Sequence, residues 1–381
     1  MGRLTGGDPS LLRRINATVV LRALRSATDA LTLTELVRGT GLSRPTVEGI
    51  MEGLQVAGLA AECADAPGEL RRQGRPARRY RFRAEAGHLL GIEIGPHRVS
   101  AVLSDLAGAR LDRAERPVSE QADAEERLEL AAANALELVS SCAVARSTLR
   151  AVGVGTPGIV RADGSMRLST ALPGWTGLPL GERLRRTFRC PVLVENDANA
   201  AVVAERWQGV AAGCTDVVMV MAGLSPGAGS LIGGRLHRGF GGAAGEIGAL
   251  HLLGREAFPE RLLSTTGEPL HPLDEAAVAE VFALARSGDE RAEQAVERFI
   301  HRLVHDVAAL VLALDPELVV VGGWAAGLDG LLDPLRTELE RYCLRPPRVA
   351  LSELGEDAVA VGALRLALDL VEEQLFVVES T

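Results

Sequence analysis

The feature that most constrains the fold is a short polar segment between an apolar run and an Ala/Val-rich stretch, V-E-N-D-A-N-A at 194–200. The apolar run 191–194 predicts a strand, and the alanines and valines beyond it predict a helix. Open α/β sheets place ligands at such junctions. Asn196 and Asp197 place an amide and a carboxylate side by side, and such a pair can bind vicinal hydroxyls. If a phosphoryl donor is present, the carboxylate can also deprotonate one of these hydroxyls. The alternative interpretation is a helix N-cap without a ligand.

Apolar runs alternate with helical segments over most of the chain, which predicts an α/β fold in two lobes. Short apolar runs predict strands at 89–94, 99–104, 151–154, 191–194, 217–221 and 318–321, with a hairpin at 95–98. Amphipathic periodicity predicts helices at 124–141 and 180–188. Glycine-rich loops at 155–158, 223–229 and 241–248 separate these elements.

Composition narrows the class of function. The 381 residues, 47% of them hydrophobic, suffice for two to three domains. We expect a soluble cytoplasmic protein without membrane contact, since no apolar run approaches the roughly 18 residues of a membrane span and no apolar signal segment stands at the N-terminus. The five cysteines are odd in number and far apart, which is typical of reduced packing residues. All 41 basic residues are arginine, so a mechanism that needs a P-loop lysine is excluded.

Charge is divided unevenly along the chain. Residues 9–83 hold 13 arginines against 7 acidic residues, whereas residues 84–381 hold 27 arginines against 42 acidic residues. An acidic body with a basic N-terminal module predicts a nucleic-acid contact confined to that module. We therefore expect a DNA-binding domain at 9–83 and a second, larger domain at 87–381.

Within 9–83 the pattern predicts a helix-turn-helix. A first helix is expected at about 11–25, and Thr32 with Glu35 forms a capping box that starts a second helix. Gly41 supplies a positive-φ stop, and Ser43 with Pro45 starts a third helix. The buried stripe of that helix is predicted at Val47, Ile50, Met51 and Leu54.

The third helix would be the recognition helix. The N-terminal end of this helix would present five residues to the major groove: Ser43, Arg44, Thr46, Glu48 and Gly49. The alternative interpretation is a three-helix domain that contacts other proteins.

Two further segments favour a winged helix-turn-helix. Strands are predicted at 59–63 and 79–83, the second with outward arginines and inward aromatic side chains. Between them, five of the nine residues 71–79 are arginine. Gly74-Arg75-Pro76 is a thin, extended unit that suits insertion of an arginine into a narrow minor groove. The basic DNA contacts expected in this wing are Arg71, Arg72, Arg75 and Arg78; a solvated linker is the alternative.

The larger domain resembles the ROK family of repressors, open reading frames and sugar kinases, in its helix-turn-helix repressor branch. The matching stretches are G-T-P-G at 155–158, L-P-G-W at 172–175, E-N-D-A-N-A at 195–200, G-A-A-G-E-I-G at 242–248, D-P-E-L-V-V-V-G-G at 315–323 and E-D-A-V-A-V-G-A at 356–363. The resemblance extends over residues 9–381. It implies an actin-like, ribonuclease H-like two-lobed ATPase fold with a sugar site in the cleft between the lobes. One lobe would comprise about 87–195 with a C-terminal helix at 358–373, and the other about 196–357.

Both phosphate-binding segments implied by the resemblance depart from the kinase pattern. The first, D-x-G-x-T in the kinases, is E-I-G-P-H at 93–97, with a longer acid, no amide proton on Pro96 and no hydroxyl at His97. The second, G-T-G-I-G-G-G in the kinases, is interrupted by Leu224, Ser225 and Pro226. Phosphoryl transfer depends on positioning and electrostatics. We therefore expect no enzyme activity, and Asp197, which matches the family's catalytic base, would be vestigial.

The resemblance also bears on metal and sugar binding. ROK proteins commonly hold zinc through a His after G-E-x-G and a cysteine cluster, but here Ala249 replaces that His and residues 252–260 lack cysteine. We expect no metal site and no cofactor, and His251 is interpreted as a surface or packing residue. By the resemblance, the effector-binding positions are Gly158, Asn196, Asp197, Glu246 and Glu260. The cleft is expected to bind a sugar weakly, another small molecule, or nothing.

Together these features predict a transcriptional regulator, a repressor that binds a double-stranded DNA operator as a homo-oligomer, a dimer or tetramer. Effector closure of the cleft would change the spacing of paired DNA-binding modules. Two alternatives stay open. One is an active sugar kinase with an appended DNA-binding domain, and the other is a DNA-binding protein that responds to no ligand.

Overall fold

The computed structural model describes residues 9–63, 78–119, 121–222, 226–248, 263–268, 270, 275–323 and 331–375. The N-terminal module, residues 9–83, begins with three helices, α1 (Pro9–Ser26), α2 (Leu33–Thr40) and α3 (Arg44–Val56). The capping box at Thr32 and the left-handed Gly41 at φ 69° are both present, as predicted. Val47, Ile50, Met51 and Leu54 are buried on α3, which confirms the predicted stripe.

The wing of the module is a three-stranded antiparallel sheet, in the order β1 (Leu31–Thr32), β3 (Arg79–Phe82) and β2 (Ala60–Cys63). Tyr80 and Phe82 point into the core, as the alternating pattern predicts. The strand before α2 was not predicted, because two residues are too few for a periodicity to register. It pairs Leu31 with Tyr80, so the aromatic strand lies in the middle of the sheet.

The first lobe contains a five-stranded sheet in the order β10-β7-β4-β5-β6. Its strands are β4 (His88–Ile94), β5 (Arg98–Asp105), β6 (Arg110–Pro117), β7 (Leu149–Thr156) and β10 (Val192–Asn196). Two helices accompany it, α4 (Ala124–Ser141) and α5 (Leu180–Phe188), both with the predicted bounds. Strand β6 was missed, because it is an exposed edge strand with charges at five of its eight positions and carries no apolar alternation. A short hairpin, β8 (Ile159–Val160) and β9 (Met166–Leu168), follows β7.

The second lobe contains another five-stranded sheet, in the order β13-β12-β11-β14-β15. Its strands are β11 (Val217–Met221), β12 (Gly227–Ile232), β13 (Arg235–Leu236), β14 (Leu318–Gly322) and β15 (Arg348–Leu351). The helices α7 (Glu275–Arg286), α8 (Glu290–Leu314) and α9 (Leu332–Tyr342) form one apolar core with this sheet. The prediction of a loop over 223–229 was wrong at its end, because Gly227–Gly229 belong to β12, which pairs antiparallel with β11.

Two helices cross between the sheets, α6 (Asp197–Gln208) and α10 (Ala358–Leu375). The crossing depends on Gly362, because a Cβ there would lie 1.7 Å from the carbonyl oxygen of Ala200. Gly153 of β7 is equally close to α10, since a Cβ would lie 1.8 Å from the carbonyl oxygen of Ala363. Glycine therefore lets the two helix backbones and the sheet approach closely.

The module packs directly on the body, residues 87–381. Val20, Leu21 and Leu24 of α1 belong to the same apolar cluster as Leu364 and Leu368 of α10. An ion pair between Arg25 and Glu372 closes this contact. The predicted boundary near 83–87 therefore lies between two differently folded parts of the chain that share one apolar core. In the part of the chain that the structure describes, no helix is long and apolar enough to cross a membrane.

Candidate functional site

The start of α3 exposes the side chains predicted to read DNA. Ser43 caps the helix, its Oγ accepting the amide of Thr46 at 3.4 Å and lying 2.7 Å from the Thr46 Oγ1. Arg44 and Glu48 are exposed and joined by an ion pair, Nε to Oε1 2.9 Å. An exposed pair of this spacing contributes only about 0.2–0.5 kcal/mol. Arg44 can therefore leave Glu48 for a base edge at little energetic cost.

The wing strands hold part of the predicted basic surface. Arg78 lies at the entry to β3 and pairs with Glu62 on β2, Nε to Oε1 3.4 Å, with its side chain 56% exposed. Arg79 donates to the carbonyl of Ala30 at 2.9 Å, which ties the wing to the turn before α2. The other wing residues predicted to contact DNA, Arg71, Arg72, Gly74, Arg75 and Pro76, lie outside the described residues, and their role stays a prediction.

The predicted cleft lies where three parallel strands of the first lobe end at one edge. Glu93 on β4 pairs in register with Gly155 on β7, and Thr156 on β7 pairs with Asn196 on β10. The carboxyl ends of these strands therefore bring together segments that are 62 and 40 residues apart in the chain. Sequence order alone does not reveal this neighbourhood.

Asn196 is engaged at both ends of its amide. Its Oδ1 accepts the backbone amide of Asn199 at 3.1 Å, so it is the N-cap of α6, and its Nδ2 donates to the carbonyl of Gly158 at 3.1 Å. Asn196 is thus an N-cap, as that interpretation predicts, and its role in ligand binding stays a prediction. The same side chain fixes the loop after β7 against the start of α6, which brings Gly158 and Asp197 to one place.

The loop at Gly158 is held from behind by a fully buried tryptophan. Trp175 Nε1 donates to Thr156 Oγ1 at 3.1 Å, and that hydroxyl donates to the carbonyl of Ile94 at 3.0 Å. Gly158 has φ 115°, and a Cβ there would lie 2.4 Å from the carbonyl oxygen of Leu168. The L-P-G-W and G-T-P-G motifs therefore form one rigid wall.

Three carboxyl groups gather in the cleft, and the pKa of each is raised above its ordinary value. Burial raises the pKa of Glu93 to about 7, against the opposing effect of Arg98 and Ser100, and Asp197 adds to the rise. Burial raises the pKa of Asp197 although its Oδ1 accepts the amide of Ala198 at 2.8 Å. Partial burial and the charge of Asp197 raise the pKa of Glu246. The cleft is therefore acidic and rich in groups that can bond hydroxyls.

The hairpin of the first phosphate-binding segment is folded onto protein partners. Arg98 pairs with Glu93, Nη2 to Oε2 3.2 Å, and with the carboxylate and carbonyl of Glu356. Fully buried Arg127 donates to the carbonyls of Gly95 and Pro96, both at 2.9 Å. These bonds fix the hairpin in one conformation, and the charge of Arg98 is paired with carboxylates of the protein itself.

Sequence reasoning missed Arg98, Arg127, Glu195 and Arg238. Glu195 is 7% exposed; its Oε1 accepts Nδ2 of Asn199 at 2.9 Å and its Oε2 pairs with Nε of Arg238 at 2.6 Å. The signal for Glu195 was its place beside Asn196 in the E-N-D-A-N segment. The arginines carried no signal, because their partners are distant in sequence.

Several predicted positions stay outside the described residues: Leu224 and Ser225 of the second phosphate-binding segment, and Ala249, His251, 252–260 and Glu260 of the region compared with the zinc segment. Pro226, just after the first of these gaps, is buried. Glu246 is described, on the loop whose Gly245 accepts the amide of Ala228 at 2.8 Å. The effector role of Glu260 and the absence of a metal site stay predictions.

Two family models match the chain. The model of the ROK family matches residues 89–370, and the model of the IclR helix-turn-helix domain matches residues 15–62.

Individual proteins resemble the chain over different lengths. A glucokinase of Halalkalibacterium halodurans is 29% identical over 308 residues, 72% of this chain and 92% of that protein. A xylose repressor of Caldicellulosiruptor bescii is 23% identical over 392 residues, 95% of this chain and 97% of that protein. The crystal structure of a ROK family transcriptional regulator, a homolog of the E. coli MLC protein, has a TM-score of 0.72 at 20% identity and covers 96% of this chain and 98% of that one.

Proposed function

This chain belongs to the ROK family, and from that premise we propose that it is a DNA-binding transcriptional regulator that acts as a repressor. The observation that carries the proposal is the capped start of α3, where Arg44 and Glu48 are exposed on a winged helix-turn-helix. Arginine in this position suits a bidentate contact with guanine in the major groove. The likeness to a xylose repressor over 95% of the chain supports the same function.

The body would supply dimerisation and effector control. A two-fold homodimer binds two half-sites about one helical turn, or a multiple of it, apart. The cleft with Asn196, Asp197 and Glu246 suits a neutral polyhydroxylated ligand, because carboxyl groups and amides form hydrogen bonds with hydroxyls. We propose a sugar or a similar small molecule as effector, and a cytoplasmic location follows from DNA binding.

Kinase activity is the second candidate, favoured by the 29% identity with a glucokinase and by Asp197 at the position of a general base. Two features disfavour it: Arg98 is already bonded to Glu93 and Glu356, and Pro96 has no amide proton to donate to phosphate. ATP turnover with any hexose, abolished in Asp197→Asn, would establish the kinase instead. We expect no turnover across a panel of hexoses.

The test of the regulator is binding of the purified protein to DNA fragments from around its own gene, at two salt concentrations, with and without sugars. Sequence-specific binding that one sugar releases would support both parts of the proposal. Specific binding that no compound changes would favour a regulator without this effector class. Binding that is equal on all DNA, at both salt concentrations, would contradict the regulator.

A further inference from the structure

A cavity of about 860 Å³ lies where the module meets the body, at the far end of α6 from Asp197. Its walls come from α1, α6, the β12–β13 turn and α10. Cavities of a few hundred Å³ or more are the usual size for small-molecule sites. Neither the cleft nor the recognition helix forms its lining, so nothing proposed above accounts for it.

The charged lining of this junction cavity is mainly basic. Five arginines contribute to it, against three acidic residues; the arginines are Arg22, Arg206, Arg235, Arg238 and Arg365, and the acids are Asp369, Glu372 and Glu373. The excess is notable because the body as a whole is acidic, with 27 arginines against 42 acidic residues in 84–381.

Two of the five arginines have carboxylate partners. Arg365 pairs with Asp369 and with Glu372, and its guanidinium lies over the Trp207 ring at 5.4 Å. Arg238 pairs with Glu195. These pairs engage the charge on one side of the cavity and position Trp207 in its wall.

The other three, Arg22, Arg206 and Arg235, have no ion pair with any carboxylate within the described ranges. Arg206 donates to the carbonyl of Gly234, which orients its guanidinium without neutralising its charge. Arg22 and Arg235 are exposed. Among the described residues, three guanidinium groups without an ion-pair partner thus line one concave space.

We propose that the junction cavity binds a phosphorylated small molecule. Guanidinium groups bond phosphate oxygens bidentately and keep their charge at every physiological pH. Trp207, Leu231 and Leu236 in the same lining offer apolar surface for the carbon skeleton. A free sugar would satisfy none of the three charges, so the cavity selects for the phosphate.

The ligand would bridge the two parts of the molecule. Arg22 belongs to α1 of the module, whereas Arg206 and Arg235 belong to the body. A bound phosphate ester would strengthen the junction that Arg25 and Glu372 already close. Control of DNA binding through this junction rests on the proposed function, but binding of the ligand does not.

The test uses the full chain with inorganic pyrophosphate and fructose 1,6-bisphosphate as probes, and unphosphorylated fructose as the control. Calorimetry, intrinsic tryptophan fluorescence, to which Trp207 contributes, and thermal unfolding are measured together. We expect saturable binding of at least one phosphorylated probe, a raised melting temperature and no effect of fructose. Arg22→Gln and Arg235→Gln should each weaken binding about tenfold or more, since each removes a charge-assisted hydrogen bond to a phosphate oxygen.

Arg13→Gln is the matched control, because Arg13 is an exposed arginine on the same helix outside the cavity lining. It should bind the probes as the wild type does. Equal affinity in Arg22→Gln, Arg235→Gln and the wild type would overturn the proposal, as would the absence of binding by both phosphorylated probes. Displacement of the probe by a short DNA duplex would also overturn it, because the arginines would then belong to the DNA surface. Probe binding by a protein that binds no specific DNA would refute the regulator and leave the cavity assignment standing.

Discussion

The N-terminal module and the cleft hold their polar side chains in opposite ways. In the module, Arg44 and Glu48 are 64% and 47% exposed and pair with each other on the surface. In the cleft, the Glu93 side chain is 13% exposed and is bonded by Arg98 and Ser100. Breaking an exposed pair costs up to about 1 kcal/mol, whereas removing one partner of a buried pair costs about 3–5 kcal/mol. The module can therefore exchange its partners for a ligand, while the cleft hairpin keeps its own.

The largest expected difference between the regions comes from two helical glycines. Gly362→Ala should lower the free energy of unfolding by about 3 kcal/mol or more, because its Cβ would meet the Ala200 carbonyl oxygen at 1.7 Å. Gly53→Ala on α3 meets nothing within 4 Å and should stabilise by up to about 1 kcal/mol through helix propensity. Urea denaturation of both variants measures this. Similar midpoints for the two would mean that the α6–α10 crossing is not tightly packed.

The next effect is a pH dependence of the free energy of unfolding, which has opposite signs at Glu93 and at Glu85. The pKa of Glu93 is raised to about 7, so the folded state holds a proton that the unfolded chain has lost. The free energy of unfolding should then fall as pH rises from about 4.5 to 7, by up to about 3 kcal/mol. Glu93→Gln should reduce this fall by the share of Glu93 and leave the share of Asp197 and Glu246, whose pKa values are also raised. Urea midpoints at several pH values test it.

Glu85, at the junction of module and body, is the matched control. Its bonds with Arg81 lower its pKa to about 2, so its contribution to stability is lost as pH falls from about 4.5 to 2. Glu85→Gln should change the acid limb only. A Glu93→Gln variant with the wild-type profile between pH 4.5 and 7 would contradict the buried-carboxylate account.

A smaller effect, on DNA affinity, tests whether exposed side chains of the module exchange their protein partners for DNA. Arg44→Ala should lose about 1–3 kcal/mol, or roughly 5- to 150-fold, on the preferred DNA and little on unrelated DNA. Arg75→Ala should weaken binding mainly at A·T-rich flanks. Binding titrations on both DNAs measure these losses. Equal losses on all DNA would contradict the assigned roles of both arginines.

The smallest effect compares one motif in both regions. Thr32 with Glu35 and Asp123 with Glu126 form capping boxes at the starts of α2 and α4. Thr32→Ala and Asp123→Ala should each cost about 1 kcal/mol of stability, since each removes one cap. DNA affinity should fall in Thr32→Ala alone, because α2 supports the recognition helix. A loss of DNA affinity in Asp123→Ala would show coupling between the first lobe and the module.

Local signals predicted part of the elements in each region. The capped helix starts at Thr32 and Ser43 follow from side-chain contacts within one turn. The helices over 124–141 and 180–188 follow from the helical period of their apolar residues. The predictions failed where the local signal was weak. Strand β6 carries charge instead of alternation, and Gly227–Gly229 were interpreted as a loop because glycine is typical of loops, although pairing with β11 makes them a strand.

The candidate site divides in the same way. Ser43, Arg44, Thr46 and Glu48 follow each other in sequence, so their common surface was predictable from helix geometry. Arg98, Arg127 and Arg238 were not predictable as partners of the cleft, because their contacts join residues up to 258 positions apart.

The sequence by itself determined the module with its recognition helix, the alternation of strands and helices in the body, and the family resemblance, because each is encoded in short spacings. Only the tertiary structure decided that the module shares a core with α10, that Glu93 and Arg98 satisfy each other, and that three arginines without carboxylate partners in the described chain line one cavity. The physical reason is that desolvation and charge pairing depend on which distant segments meet, and parallel strands and crossing helices bring together residues that the chain keeps far apart.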